Sequence, residues 1–165
     1  MIKRTLSSII TIAVCSLILV GSGLMGYFTA NPDRGANTIA VDIGDGSDTV
    51  TFEGLALIPG ESREYTLELK CEIQTECDVV LKFEEEGDKT LKNFVRVRIE
   101  YNGEEIKDAL MADLFKSDEL TFKSDLSKGK TGTIKITYYM PLEIGNEAEK
   151  AEADFKLHIT VKNED

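Results

Sequence analysis

The sequence predicts an all-β domain, an antiparallel β-sandwich. Three observations carry that prediction. Seven to nine short stretches alternate apolar and polar residues with a period of two. Turn-forming residues separate them at intervals of roughly eight to twelve residues. Beyond an N-terminal hydrophobic signal helix, only residues 107–117 read as a helix candidate of any length. Strands with one apolar and one charged face suit two sheets packed face to face, each with a wet outer side.

Residues 1–26 precede that domain. Lys3 and Arg4 give a positive start, an apolar run extends from Ile9 to Val20, and Gly21, Ser22, Gly23 and Gly26 follow. Basic, apolar, then small is the order of a secretory signal peptide, cut here near Gly26 and Tyr27. Left uncut, the stretch from Leu6 to Phe28 reaches the roughly 20 residues a membrane anchor needs. Either way Lys3 and Arg4 stay inside and the chain after residue 30 is exported, so the domain is expected to be secreted or held at the cell surface.

Residues 27–37 carry Pro32, Asp33 and Gly35 without periodicity and read as a flexible leader; residues 38–165 form the sandwich. Ile39, Val41 and Ile43 share one face of the first strand, with Thr38, Ala40 and Asp42 on the other. Gly44–Asp48 breaks it as a turn. Asp42, Asp45 and Asp48 are close enough to suggest calcium, but their spacing is not that of an EF-hand loop and no bidentate Glu follows. An acidic, glycine-rich turn is the commoner origin of such a run. Val50 and Phe52 mark a second strand, and Pro59-Gly60 a turn.

Tyr65, Leu67, Leu69 and Cys71 line one face of the next strand; Cys77, Val79, Leu81 and Phe83 line one face of its successor. Read as a hairpin, the two strands bring Cys71 and Cys77 within disulfide reach across a short loop. Val95, Val97, Ile99 and Tyr101 alternate up to Asn102-Gly103, the favoured pair for a tight primed turn. Residues 107–117 read as a short helix or irregular crossover. Leu120 and Phe122 give another short strand, and Ile134, Ile136, Tyr138 and Met140 a longer one, ended by Pro141. Residues 143–152 are a polar connection or a helical turn. Ala153, Phe155, Leu157, Ile159 and Val161 face inward on the last strand, which places His158 outward with Lys156 and Thr160.

Three cysteines and one histidine limit the chemistry. Cys15 lies inside the apolar segment, and Ile12 with Val14 does not fit a lipoprotein signal. Cys71 and Cys77 remain as an even pair in an oxidising compartment, which argues for one disulfide. A zinc site wants four ligands, and one histidine cannot supply them. HExxH, GxSxG, GxxxxGKS and a GxGxxG that leads into a helix are all missing. Glu84-Glu85-Glu86 and Glu104-Glu105 read as solvated strand-edge charges rather than paired catalytic acids. No enzyme and no cofactor are expected. Removal of Lys3 and Arg4 with residues 1–26 leaves 17 basic against 30 acidic residues, a net charge of −13. Such a surface repels nucleic acid and anionic membrane. The membrane is then a partner only through residues 1–30, if they are retained.

Several segments together resemble one family. Gly21–Thr29, GSGLMGYFT, is similar to the glycine-rich, aromatic-ending signal of proteins processed by the signal peptidase SipW. Asn37–Ile43 resembles the first strand of the TasA and camelysin (CalY) family, Leu57-Ile-Pro-Gly-Glu-Ser its L-x-PG-[DE] turn, and Tyr139–Ala148 its C-terminal segment. The Cys71–Cys77 pair departs from the family pattern, and the chain is nearer camelysin than TasA in size. The resemblance implies a jelly-roll-like, SipW-dependent secreted protein that sits at the cell surface or polymerises into biofilm-matrix fibres. It implies assembly through the N-terminal segment freed by signal cleavage, here Tyr27 to Val41, with Tyr27 and Phe28 as aromatics and Ile39 and Val41 alternating. The partners expected are the signal peptidase and further copies of the chain. The metallopeptidase label carried by some camelysins has no zinc constellation to support it here. The alternative is a membrane-anchored extracytoplasmic binding module without catalysis.

Overall fold

The computed structural model describes residues 28–30, 37–44, 46–71, 77–87, 90–127, 129–145, 148 and 151–163. The signal segment and Tyr27 lie outside the described residues. Among the described residues there are ten strands: β1 (Phe28–Ala30), β2 (Asn37–Gly44), β3 (Ser47–Leu55), β4 (Ser62–Cys71), β5 (Cys77–Glu86), β6 (Arg96–Tyr101), β7 (Glu104–Leu110), β8 (Leu120–Ser124), β9 (Thr131–Tyr139) and β10 (Ala153–Asn163). A 3₁₀ turn spans Thr90–Asn93, and a short helix, α1, spans Met111–Lys116.

The strands form two five-stranded sheets. Sheet A has the order β1-β3-β10-β5-β8 and sheet B the order β2-β4-β9-β6-β7. Without β1 and β2, the eight remaining strands wind as a jelly roll, in which β3, β4, β5 and β6 alternate between the sheets and only β6 and β7 join as a hairpin. All pairings among these eight are antiparallel.

The inward residues are those the alternation selects. Val50, Phe52, Leu67, Leu69, Val97, Ile99, Ile134, Ile136, Phe155, Leu157 and Ile159 are buried in one core. At its centre Phe155 stacks on Phe52 at 4.7 Å, with Tyr138 at 5.5 Å and Phe115 at 6.1 Å. The β6–β7 hairpin turns on Asn102 (φ 49°) and Gly103 (φ 87°), the left-handed pair a primed turn requires. Residues 107–117 divide between the end of β7 and α1, whose Met111, Ala112 and Leu114 are buried. The helix thus plugs the core where the chain crosses from sheet B to sheet A.

Two expectations are corrected. The sandwich is not antiparallel throughout, because β1 pairs parallel with β3 and β2 parallel with β4. The chain leaves β1 at the edge of one sheet and enters β2 at the matching edge of the other, and both run with their neighbours. The expected leader therefore contributes a strand, and Asn37 begins β2. Second, β4 and β5 are not a hairpin. β4 belongs to sheet B and β5 to sheet A, so the two strands do not pair.

Candidate functional site

The two long borders of the sandwich differ. One carries β1 and β2, the N-terminal strands. The other carries β7 and β8, bridged by α1. Functional candidates concentrate along these borders because the faces between them are filled by charge pairs.

On the outer face of sheet B, Lys135 reaches Glu64 (3.0 Å) and Glu100 (3.5 Å). On sheet A, Lys156 pairs with Glu86 and Lys92 with Glu85. The acidic run 84–86 is thus engaged in pairs with His158, Lys92 of the 3₁₀ turn and Lys156, on a strand that is not at the sheet edge. His158 points outward as expected, but it bridges three strands. Its Nδ1 lies 3.0 Å from Thr49 Oγ1 on β3, and its Nε2 lies 2.7 Å from Glu84 Oε2 on β5. The hydrogen bond and charge of His158 hold the Glu84 carboxyl below its ordinary range. The histidine is bonded on both sides in an open sheet face, which makes it a cross-strand link.

The β7 border holds the densest polar cluster. Asp108 accepts from Arg96 at Oδ1 (2.7 Å), and at Oδ2 from the Tyr139 hydroxyl (2.8 Å) and Arg98 (3.3 Å). The Arg98 guanidinium lies 5.5 Å from the Tyr139 ring centre. Burial raises the Asp108 carboxyl, but the Tyr139 hydroxyl and the two guanidinium groups outweigh it, and the net shift is downward. Beside this cluster is a hollow of about 520 Å³ between β7, α1 and the start of β8, lined among others by Lys107, Ala109, Leu114, Ser117 and Leu120. Its size falls in the range of small-molecule sites. No signal in the sequence marks it, because its walls come together only through the crossover.

The sequence-expected sites are placed as follows. Phe28 pairs with Val50 in β1–β3, so this part of the assembly segment is the edge strand of sheet A. Ile39 and Val41 are buried, 9 % and 1 % exposed, against the same core as β4. Asp42 is exposed on β2; Asp48 is half-buried, and burial raises its carboxyl, with the charge of Asp42 adding to the rise. Asp45 lies outside the described residues. Among the described residues no group of three His, Cys, Asp or Glu side chains is placed to hold a metal ion. Cys71 and Cys77 are buried thiols. Cys77 donates to the Leu126 carbonyl at 3.2 Å and lies 3.5 Å from Ser124 Oγ. Among the described residues no helix is long and apolar enough to cross a membrane.

No family model matches the chain, and no curated protein matches it. Among solved structures it is similar to the CUB1-EGF-CUB2 domains of rat MASP-1 (13% identity, 77% of this chain and 44% of that one, TM-score 0.41). It is also similar to Aeromonas hydrophila PliG, a periplasmic inhibitor of g-type lysozyme (13% identity, 78% and 98%, TM-score 0.41). A third is the extracellular region of zebrafish Gpr126 (12% identity, 79% and 15%, TM-score 0.40). The chain thus spans less than half of the first and third of these. All three scores lie below 0.5, and no function passes from these proteins to this chain.

Proposed function

We propose that this is an exported, non-catalytic structural protein of the cell surface or extracellular matrix, of the kind its resemblance to the TasA and camelysin family implies. In this reading it assembles through its N-terminal segment. The observation that carries it is the placement of β1 and β2. The eight-stranded jelly roll is complete without them, and they are laid in parallel on the matching edges of the two sheets. A segment so attached can be given to a neighbour without unthreading the core.

The energetics fix the form of the exchange. Release of β2 uncovers Ile39, Val41 and Ile43, each worth roughly 1.5–3 kcal/mol of burial. That loss is recovered only when the β2 of another copy takes the same place on β4. Exchange is therefore favoured by high concentration and by screening of the −13 charge. Signal cleavage near Gly26 frees the segment and makes the signal peptidase a necessary partner. The open charged faces and the doubly bonded His158 support a protein without catalysis, cofactor or nucleic-acid partner.

The test compares proteins beginning at Tyr27 and at Asn37 by light scattering and electron microscopy at low and high salt. Assembly of the first in high salt, reduced in the second, is the expected result. If both stay monomeric in every condition, the assembly reading fails. The second reading, a membrane-anchored binding module, draws on the hollow beside α1. N-terminal sequencing of the exported protein separates them, since an anchored module keeps residues 1–26.

A further inference from the structure

Two layers of a sandwich share no backbone hydrogen bonds. They are held by side-chain packing and by the chain that crosses between them. At one end of this sandwich the crossing is short: β4 of sheet B ends at Cys71, β5 of sheet A begins at Cys77, and residues 72–76 join them. Both side chains face the core, at 5 % and 2 % exposure. The Cys71 thiol is near enough to that of Cys77 to influence its ionisation. Register places Cys71 opposite Gly44 of β2, and Cys77 opposite both Asn163 of β10 and Ser124 of β8.

We propose that Cys71 and Cys77 are oxidised to a disulfide that staples sheet B to sheet A. The inference does not rest on the assembly reading. It replaces the hairpin clip that sequence spacing suggests. Across a hairpin such a bond would duplicate an existing ladder, whereas here it joins layers that no ladder joins. Each thiol loses its proton and the two sulfurs form one S–S bond. The electron pair passes to the disulfide of an extracytoplasmic thiol oxidoreductase, or to oxidised glutathione, whose own S–S bond opens to two thiols. The bond costs Cys77 its hydrogen bond to the Leu126 carbonyl. Burial holds the Cys77 thiol above its ordinary range, with the nearby Cys71 adding to the rise. Folded thiols therefore exchange slowly, and oxidation belongs to the emerging chain, before the pair is buried in the core.

Trypsin gives a direct readout, because no Lys or Arg lies between Lys70 and Lys82. Both cysteines fall on one peptide, residues 71–82, and Cys15 cannot be confused with them. The exported protein is denatured without reductant, alkylated, digested and weighed. The expected peptide is unalkylated and two hydrogens lighter than the dithiol. A doubly alkylated peptide, from exported protein and again after refolding in oxidised glutathione, overturns the proposal. The closed loop of seven residues should change the unfolding equilibrium constant about 50-fold between oxidised and reduced protein. The Cys71→Ser/Cys77→Ser protein should match the reduced form and ignore reductant. An oxidised peptide with no difference in unfolding between the two forms rejects the staple. Because the peptide mass is read on the natural chain, it stands even if the double variant fails to fold.

Discussion

Tyr138 offers a test in which removal of a polar atom should stabilise the protein. Its ring sits in the centre of the core, 5.5 Å from Phe155, 5.7 Å from Tyr65 and 6.0 Å from Phe52, and it is 0 % exposed. Its hydroxyl has no hydrogen-bond partner among the described residues. Burial, with Tyr65 nearby, holds its ionisation far above the ordinary tyrosine range, so the neutral hydroxyl is the species to consider. A buried hydroxyl without a partner costs roughly 1–3 kcal/mol relative to water. Tyr138→Phe removes that cost and leaves a gap about one oxygen wide, worth a few tenths of a kcal/mol by cavity scaling. The variant should be more stable by about 1 kcal/mol in urea denaturation, with an unchanged slope. Tyr65→Phe is the control. The Tyr65 hydroxyl is bonded to Arg63, so its loss should cost about 1 kcal/mol. Opposite signs at two neighbouring tyrosines are the signature. A Tyr138→Phe protein less stable by 1 kcal/mol or more would refute the reasoning and show that the hydroxyl is satisfied.

Two further predictions concern the border that carries β7 and the end of sheet B. At Gly132 an added Cβ would stand 2.8 Å from the Tyr101 ring and hydroxyl and 3.1 Å from Leu126. The Tyr101 hydroxyl is tied to Asp125 at 3.0 Å and cannot simply swing away. Gly132→Ala should therefore lower stability by roughly 1–3 kcal/mol in thermal or urea unfolding, where an unhindered strand glycine would gain. Asp108 has a depressed folded pKa, so its contribution is full above its unfolded pKa and is lost as pH falls through the folded value. Asp108→Asn should be less stable than the natural protein at neutral pH and converge with it as the pH falls below the depressed folded value. Urea midpoints against pH read this directly, and parallel profiles reject the depressed carboxyl.

What the sequence disclosed and what it withheld divide along one line. Alternation reports which side of a strand is buried, because that depends on each strand alone. Phe155, Leu157 and Ile159 of β10, and Val97 and Ile99 of β6, are buried as their period requires. The Asn102-Gly103 turn is likewise local, and its backbone angles are those its residues favour. Pairing is not local. A five-residue gap between two alternating strands serves a hairpin or a crossing between sheets equally well, so the Cys71–Cys77 connection was legible in position and not in topology. β1 has three residues and no period, and only its register with Val50–Phe52 marks it as a strand. The cross-strand links lie beyond sequence pattern for the same reason. His158 meets Glu84 and Thr49 across 74 and 109 residues, and Tyr139 meets Asp108 across 31.

The two borders of the sandwich are chemically unequal, and that inequality bears on how copies could add to one another. Register sets Lys107 of β7 opposite Ile99 and Ala109 opposite Val97, so both stand on the core side of their strand. Lys107 is nevertheless exposed, since β7 overhangs the hollow beside α1 and little packs beneath it. A charge turned to the core side of an edge strand is a known obstacle to strand addition, because the incoming strand would bury it. A bulge between Ile99 and Glu100 further bends this hairpin. β2 presents no such guard. Its core side is Ile39, Val41 and Ile43, all buried, and its pairing with β4 is regular as far as Asp42. Charge pairs across the outer faces oppose stacking of sheet on sheet. In the proposed assembly, contact between copies is thereby directed to the β1–β2 border, and an exchange that begins there would have one polarity, with the N-terminal strands of one copy on the vacated edges of the next.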